Sequence, residues 1–267
     1  MTENIDMMFA LTLLVLAAFF AGLIDSIAGG GGLISLPALL AYGLPAHIAL
    51  GTNKMQSTCG TTFALANFHR NAKVVWKTAL TGIPFALLGS VLGARIALVI
   101  PQIYLAKVLV VLLPPAAILM FVCRSNLSSP HKRGPRSHAL DSRFRWNDRI
   151  LPTILICSTI GIYDGFFGPG TGTFLIVALV IFLGIPAVQS SATAKTFNLA
   201  SNIGAFFTFM LSGHIDYKIG VVMAGANICG NLIGSHLAIK RGDTFVQKIV
   251  YVSLALLFVY LLWKYYI

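Results

Sequence analysis

The chain reads as a succession of apolar runs separated by short polar or glycine-rich breaks. The runs cover residues 8–28, 33–42, 49–68, 78–99 and 104–122, then 151–167, 173–183, 190–211, 219–239 and 245–263. Most are about as long as the ~20 residues that a helix needs to cross a bilayer core. The second run of each series is short. Ten residues of helix rise about 15 Å, half of a ~30 Å hydrocarbon core. The pattern predicts an all-α polytopic membrane protein with eight to ten hydrophobic segments. Between the series, 124–150 is rich in Ser, Pro, Arg and His and reads as a polar, basic linker on the cytoplasmic side. The expected organisation is a first membrane half (1–123), this linker, and a second membrane half (151–267).

Composition agrees. Of 267 residues, 57% are hydrophobic and 10% charged, against about 25% charged in a soluble domain. The net charge of +11 is no nucleic-acid footprint, because basic loops beside membrane helices are a topology signal. The four cysteines, Cys59, Cys123, Cys157 and Cys229, fit neither a zinc pattern nor a disulfide framework and read as small buried hydrophobes. No cofactor or metal site is expected.

The breaks carry the chemistry. Asp25 is the only charged residue between Asp6 and Lys54, and it precedes Gly29, Gly30, Gly31 and Gly32. Bare backbone amides and a carboxylate at membrane depth are tolerated only where protein or a water-filled cavity surrounds them. The pattern then recurs. Gly22 and Asp25 fall on Gly161 and Asp164 at an offset of 139, and Gly29 and Gly31 fall on Gly168 and Gly170. Beyond the second break, Thr52 and Lys54 fall on Thr193 and Lys195 at an offset of 141, and Gly89 and Gly93 on Gly230 and Gly234.

Two halves with matching broken segments are the signature of a secondary transporter whose site lies at the repeat interface. The distribution of Lys and Arg places the linker inside but does not separate inverted from parallel halves. The acidic, Lys-free N-terminus favours an outside start and thus inverted repeats. The candidate substrate site comprises Asp25, Gly29, Gly30, Gly31, Gly32, Thr52, Asn53 and Lys54 from the first half. From the second it takes Asp164, Gly168, Gly170, Gly172, Thr193, Lys195, Asn198 and Asn202. The lysines would hold a small anion, and amides at the breaks would donate to its oxygens. The aspartates would pair with the lysines in the empty site or carry protons in coupled transport. On this reading the two breaks approach one another, with both lysines close by.

The motifs Gly29-Gly30-Gly31-Gly32 with Leu36-Pro37, and Gly51-Thr52-Asn53-Lys54, resemble the TauE/SafE family. Gly168-Pro169-Gly170-Thr171-Gly172 and Ala192-Thr193-Ala194-Lys195 resemble that family's second repeat. The resemblance implies a bacterial inner-membrane permease that exports small anions such as sulfite or organosulfonates, with the lipid bilayer as its other partner. It leaves oligomeric state open. The other reading of the residues is a non-transporting membrane subunit or assembly factor. An enzyme is not expected, since no nucleophile–base or metal motif appears.

Overall fold

The computed structural model describes residues 2–105, 111, 146–242 and 245. The expected linker up to 145 and nearly all of the segments 104–122 and 245–263 lie outside the described residues. Within them the fold is helical: α1 (Thr2–Ala28), α2 (Gly32–Ala41), α3 (Ala46–Arg70), α4 (Trp76–Val99), α5 (Trp146–Phe166), α6 (Thr171–Leu183), α7 (Ala187–Leu211) and α8 (Tyr217–Arg241). Helices α1 and α5 begin upstream of the expected 8 and 151, so α5 takes in the last residues of the stretch read as linker. The change from polar to apolar sequence marks entry into a membrane, and a helix need not start there. Pro45 and Pro186 stand just before α3 and α7 with φ of −53° and −56°, near the angle proline imposes.

Residues 8–28 of α1, together with α4 and α8, are long and apolar enough to cross a membrane, while α2 and α6 are short apolar helices. The polarity of α3 and α7 has its cause in the fold. They place Thr52, Asn53, Lys54 and Gln56, and Ser190, Thr193, Lys195, Asn198 and Asn202, in the protein interior, where all are buried.

The halves interlock. Helix α1 packs along α8 in parallel register: Phe19 faces Gly230, and Ser26 faces Gly234. Helix α3 also runs with α8, from Thr52 opposite Asp216 to Asn67 opposite Ser235. In the same way α4 runs with α5, Ala86 meeting Gly161 and Ser90 meeting Gly165. It runs with α7 too, from Val75 at Thr193 to Ser90 at Ser201. Helices α3 and α7 are antiparallel, with Gly51 near Phe209 and Lys54 on Asn202. Thus α1, α3 and α8 run one way, and α4, α5 and α7 the other. Small residues make these seams possible. A Cβ on Gly93, Gly165, Gly230 or Gly234 would strike the backbone of the facing helix.

One end of the bundle gathers Arg70, Lys73, Lys77, Arg149, Lys240 and Arg241, the basic face; Arg95, Lys218, His47 and His214 lie at the other end. The cysteines divide: Cys157 is buried, Cys59 partly so, Cys229 is exposed, and Cys123 lies outside the described residues. Cys229 departs from the buried reading because its side of α8 faces away from the neighbouring helices, where a small apolar side chain is equally at home in lipid.

Candidate functional site

The two breaks meet. Helix α1 ends at Ala28 because Gly29 takes φ +77°; α5 ends before Gly168 at φ +92°, and Gly170 follows at φ +84°. Only glycine adopts these angles without strain. Gly29 also lies against the backbone of Gly172, and Gly32 against Pro169, so side chains at these points would push the breaks apart. The carbonyls freed at the end of α1 are held from the other half. Thr173 Oγ1 donates to Ala28 O at 2.6 Å, and Ser191 Oγ reaches the Ser26 and Ile27 carbonyls at 3.3 Å. Tyr163 Oη and Thr171 Oγ1 each donate at 2.6 Å, to Pro169 O and Gly168 O. The first turns of α2 and α6 therefore begin side by side, bringing amide donors without intrahelical partners and the positive ends of two helix dipoles.

The four charges lie beside this junction and pair across the halves. Lys54 Nζ of α3 is 2.8 Å from Asp164 Oδ1 of α5. Lys195 Nζ of α7 is 2.7 Å from Asp25 Oδ2 of α1. Both lysines are fully enclosed, at 2% and 1% exposure, so neither snorkels to a surface. Asparagines join the pairs into one network. Lys54 donates also to Asn202 Oδ1 at 3.1 Å, Asn202 Nδ2 donates to Asn198 Oδ1 at 3.0 Å, and Asn198 Nδ2 approaches Asp25 Oδ1 at 3.5 Å. Ser201 donates to the second oxygen of Asp164. With two cations and two anions the centre has no net charge. Charges survive burial when paired and hydrogen-bonded in this way.

Between the pairs lies a polar cavity of about 20 Å³, room for roughly one water. Of the residues expected at a site, it is lined by Asp25, Gly29, Gly32, Asn53, Lys54, Asp164, Gly168, Gly172, Asn198 and Asn202. Lys195 is not in the lining but reaches it through Asp25. Gly30, Gly31 and Gly170 also stay out of it: Gly31 packs against Asp25 and Ala21, and Gly170 precedes α6. Thr52 and Thr193 stand apart and do the same structural job in each half. Thr52 Oγ1 accepts from Asp216 N at 3.0 Å, and Thr193 Oγ1 from Val75 N at 3.1 Å. Each pins the turn that joins two helices of the opposite half.

Sequence reasoning missed Ser57 and Thr171 in the lining and Ser201 on Asp164. Ser57 is three residues from Lys54 and Ser201 three from Asn198, one helical turn in each case, so helical spacing was the available signal. Ser35 and Gln56 were missed as well. They donate to Asn53 Oδ1 at 2.6 and 2.9 Å.

Comparison with known proteins finds relatives over most of the chain. The family profile described as Sulfite exporter TauE/SafE matches residues 14–261. A Sinorhizobium protein called probable membrane transporter protein ORF9 is 36% identical over 250 residues, covering 92% of this chain and 90% of that one. A probable membrane transporter protein of Haemophilus influenzae is 35% identical over 240 residues, 90% and 89% of the two chains. The probable membrane transporter protein YfcA of Escherichia coli K12 is 34% identical over 251 residues, 92% and 87%. No solved structure matches the chain.

Proposed function

The chain belongs to the TauE/SafE family and is a membrane transporter, and from that premise we propose that it is a secondary permease exporting small oxyanions such as sulfite or organosulfonates across a bacterial inner membrane. The observation that carries this reading is the crossed pairing of Lys54 with Asp164 and Lys195 with Asp25 around a cavity at the meeting of two broken helices. The described cavity is of water size, so admitting an oxyanion requires it to widen. An oxyanion enters by replacing a carboxylate as the partner of a lysine and takes further hydrogen bonds from Asn53, Asn198, Asn202 and the amides at the breaks.

That exchange has an electrostatic consequence. The centre is neutral, so an added anion leaves excess negative charge in a low-dielectric interior, which is costly. A proton on Asp25 or Asp164, or a cation carried along, offsets it. Transport is therefore coupled to protons or another ion.

The helix directions support inverted repeats. In the first half α1 and α3 run with α8 and α4 opposes them; in the second, α5 and α7 run with α4 and α8 opposes them. The basic face is then cytoplasmic by the positive-inside rule. The first half (1–123) and second half (151–267) are joined by a cytoplasmic linker at 124–150, and the N-terminus starts outside.

Purified protein in liposomes tests the function. Flux of sulfite, sulfoacetate, sulfate and chloride is compared with and without a pH gradient. The proposal expects sulfite or sulfonate flux above protein-free liposomes and a response to the gradient. Folded protein that moves none of these anions would contradict it.

A further inference from the structure

Beyond the charged centre, α3 carries a second polar feature. Asn53, Gln56, Gly60, Asn67 and Asn71 are spaced so that they share one helical face. Asn227, Asn231 and Ser235 do the same on α8, and the two faces meet. Gln56 Nε2 donates to Asn53 Oδ1, which lines the cavity. Gly60 has no side chain, and the space is taken by the amides of Asn227 and Asn231, themselves bonded at 2.8 Å. Two turns on along α3, and one turn beyond Asn231 on α8, Asn67 Nδ2 donates to Ser235 Oγ at 2.8 Å. Asn71, exposed beside Arg70 on the basic face, bonds Asn67 Oδ1 at 3.2 Å. Polar groups thus form a file from the cavity to one surface.

Two observations separate this file from ordinary interhelical hydrogen bonding. Among the described residues four buried side-chain atoms lack a partner: Gln56 Oε1, Thr61 Oγ1, Thr78 Oγ1 and Asn231 Oδ1. Two of the four, Gln56 Oε1 and Asn231 Oδ1, lie on this seam, and Thr61 follows Gly60 on α3, turned towards the side that carries Ser57 and Lys54. An unsatisfied buried polar atom costs about 1–3 kcal/mol, and water is its usual partner inside proteins. The second observation is the twin seam between α7 and α4. At the repeat offset, Asn53, Gln56 and Asn67 are matched by Ala194, Phe197 and Thr208, and Asn227, Asn231 and Ser235 by Ala86, Ser90 and Ala94. There the Phe197 ring fills the space against Gly82 and Cys157, and Ser90 spends its hydroxyl on Ser201 O. The twin seam keeps hydroxyls at Ser90, Thr208 and Ser201, the match of Gly60, but has no amide side chain at these positions, so packing alone does not call for the amides of the α3–α8 seam.

We propose that the α3–α8 seam is a one-sided hydrated proton path between the basic face and the charged centre. Neutral amides and hydroxyls order water without fixed charge, and a seam this closely packed passes protons and water, not an oxyanion. A proton from bulk water enters beside Asn71, near Arg70 of α3 and Lys240 and Arg241 of α8, and moves by exchange between waters. It ends on a carboxylate oxygen of Asp164 or Asp25, opposite Lys54 and Lys195. The neutral acid lets go of its lysine. This use rests on the proposed anion permease; the hydration of the seam does not.

The test uses the full chain in liposomes with Asn231→Cys, Thr61→Cys or Ser90→Cys, exposed to pulsed X-ray radiolysis, which oxidises thiols touching water. Native Cys157 of α5, buried against Gly82 of α4 beside the twin seam, is the internal dry standard. The thiols at 231 and 61 should oxidise at least about tenfold faster than those at 90 and 157, since oxidation follows solvent access. Oxidation of both as slowly as Cys157 would overturn the proposal. Thr61→Cys is conservative enough to decide the matter if Asn231→Cys does not fold. In flux assays, Asn231→Leu should keep anion–anion exchange and lose the response to a pH gradient; a full response would also overturn the path. Wild-type protein that moves no anion refutes the permease reading alone, and the oxidation rates still judge the seam.

Discussion

At the scale of residues, the centre is built from charges that are stable only together. Removing Asp164 strands the ammonium of Lys54, which is 2% exposed, and breaking a buried pair costs about 3–5 kcal/mol. Replacing both partners by apolar residues of similar size is often neutral or better. Asp164→Leu alone should therefore lower the unfolding temperature sharply in detergent. Lys54→Met with Asp164→Leu should recover most of the loss, and a double variant no more stable than the single one would contradict this account. The members of this centre were legible in the sequence, because Asp25, Asp164, Lys54 and Lys195 stood out as matched charges in apolar runs. Their partners were only half legible. An offset repeat aligns Lys54 with Lys195 but does not say that each lysine reaches the aspartate of the other half. Thr52 and Thr193 have a packing role that was not legible, for a related reason. A matched hydroxyl beside a matched lysine reads as a ligand, and only the fold shows it accepting a hydrogen bond from a turn in the opposite half.

At the scale of elements, the four glycines of the first break are not equivalent. Gly29 has φ +77° and touches the backbone of Gly172. Gly29→Ala should cost roughly 2–5 kcal/mol from backbone strain plus overpacking. A Cβ on Gly30 would sit 3.5 Å from Ile24 and 3.7 Å from Leu33, ordinary contacts, at a φ outside the left-handed range. Gly30→Ala should change stability by less than about 1 kcal/mol. Thermal unfolding of the two variants checks the contrast, and equal losses would refute it. Composition located the break, but a glycine run cannot say which member bends the chain and which only accompanies it. Helix ends were less legible than helix identities, since α1 and α5 extend beyond their apolar cores.

At the scale of the molecule, the interlocked halves place the turn at Asn71 and the turn at Ser212 at opposite ends. With native cysteines replaced, Asn71→Cys should react with an impermeant maleimide from the cytoplasmic side only, and Ser212→Cys from outside only. Parallel repeats would expose both on one side. The sequence left this choice open because counts of basic residues fit both topologies, whereas the register of facing residues gives each helix a direction. The measurement closest to the central claim is sulfite flux through the paired variant Lys54→Met with Asp164→Leu, once its unfolding temperature shows it folded. Loss of a buried cation contact to an anion is worth at least about 2 kcal/mol, so flux should fall about thirtyfold or more. A folded paired variant that moves sulfite at the wild-type rate would show that the crossed ion pairs are not the transport site.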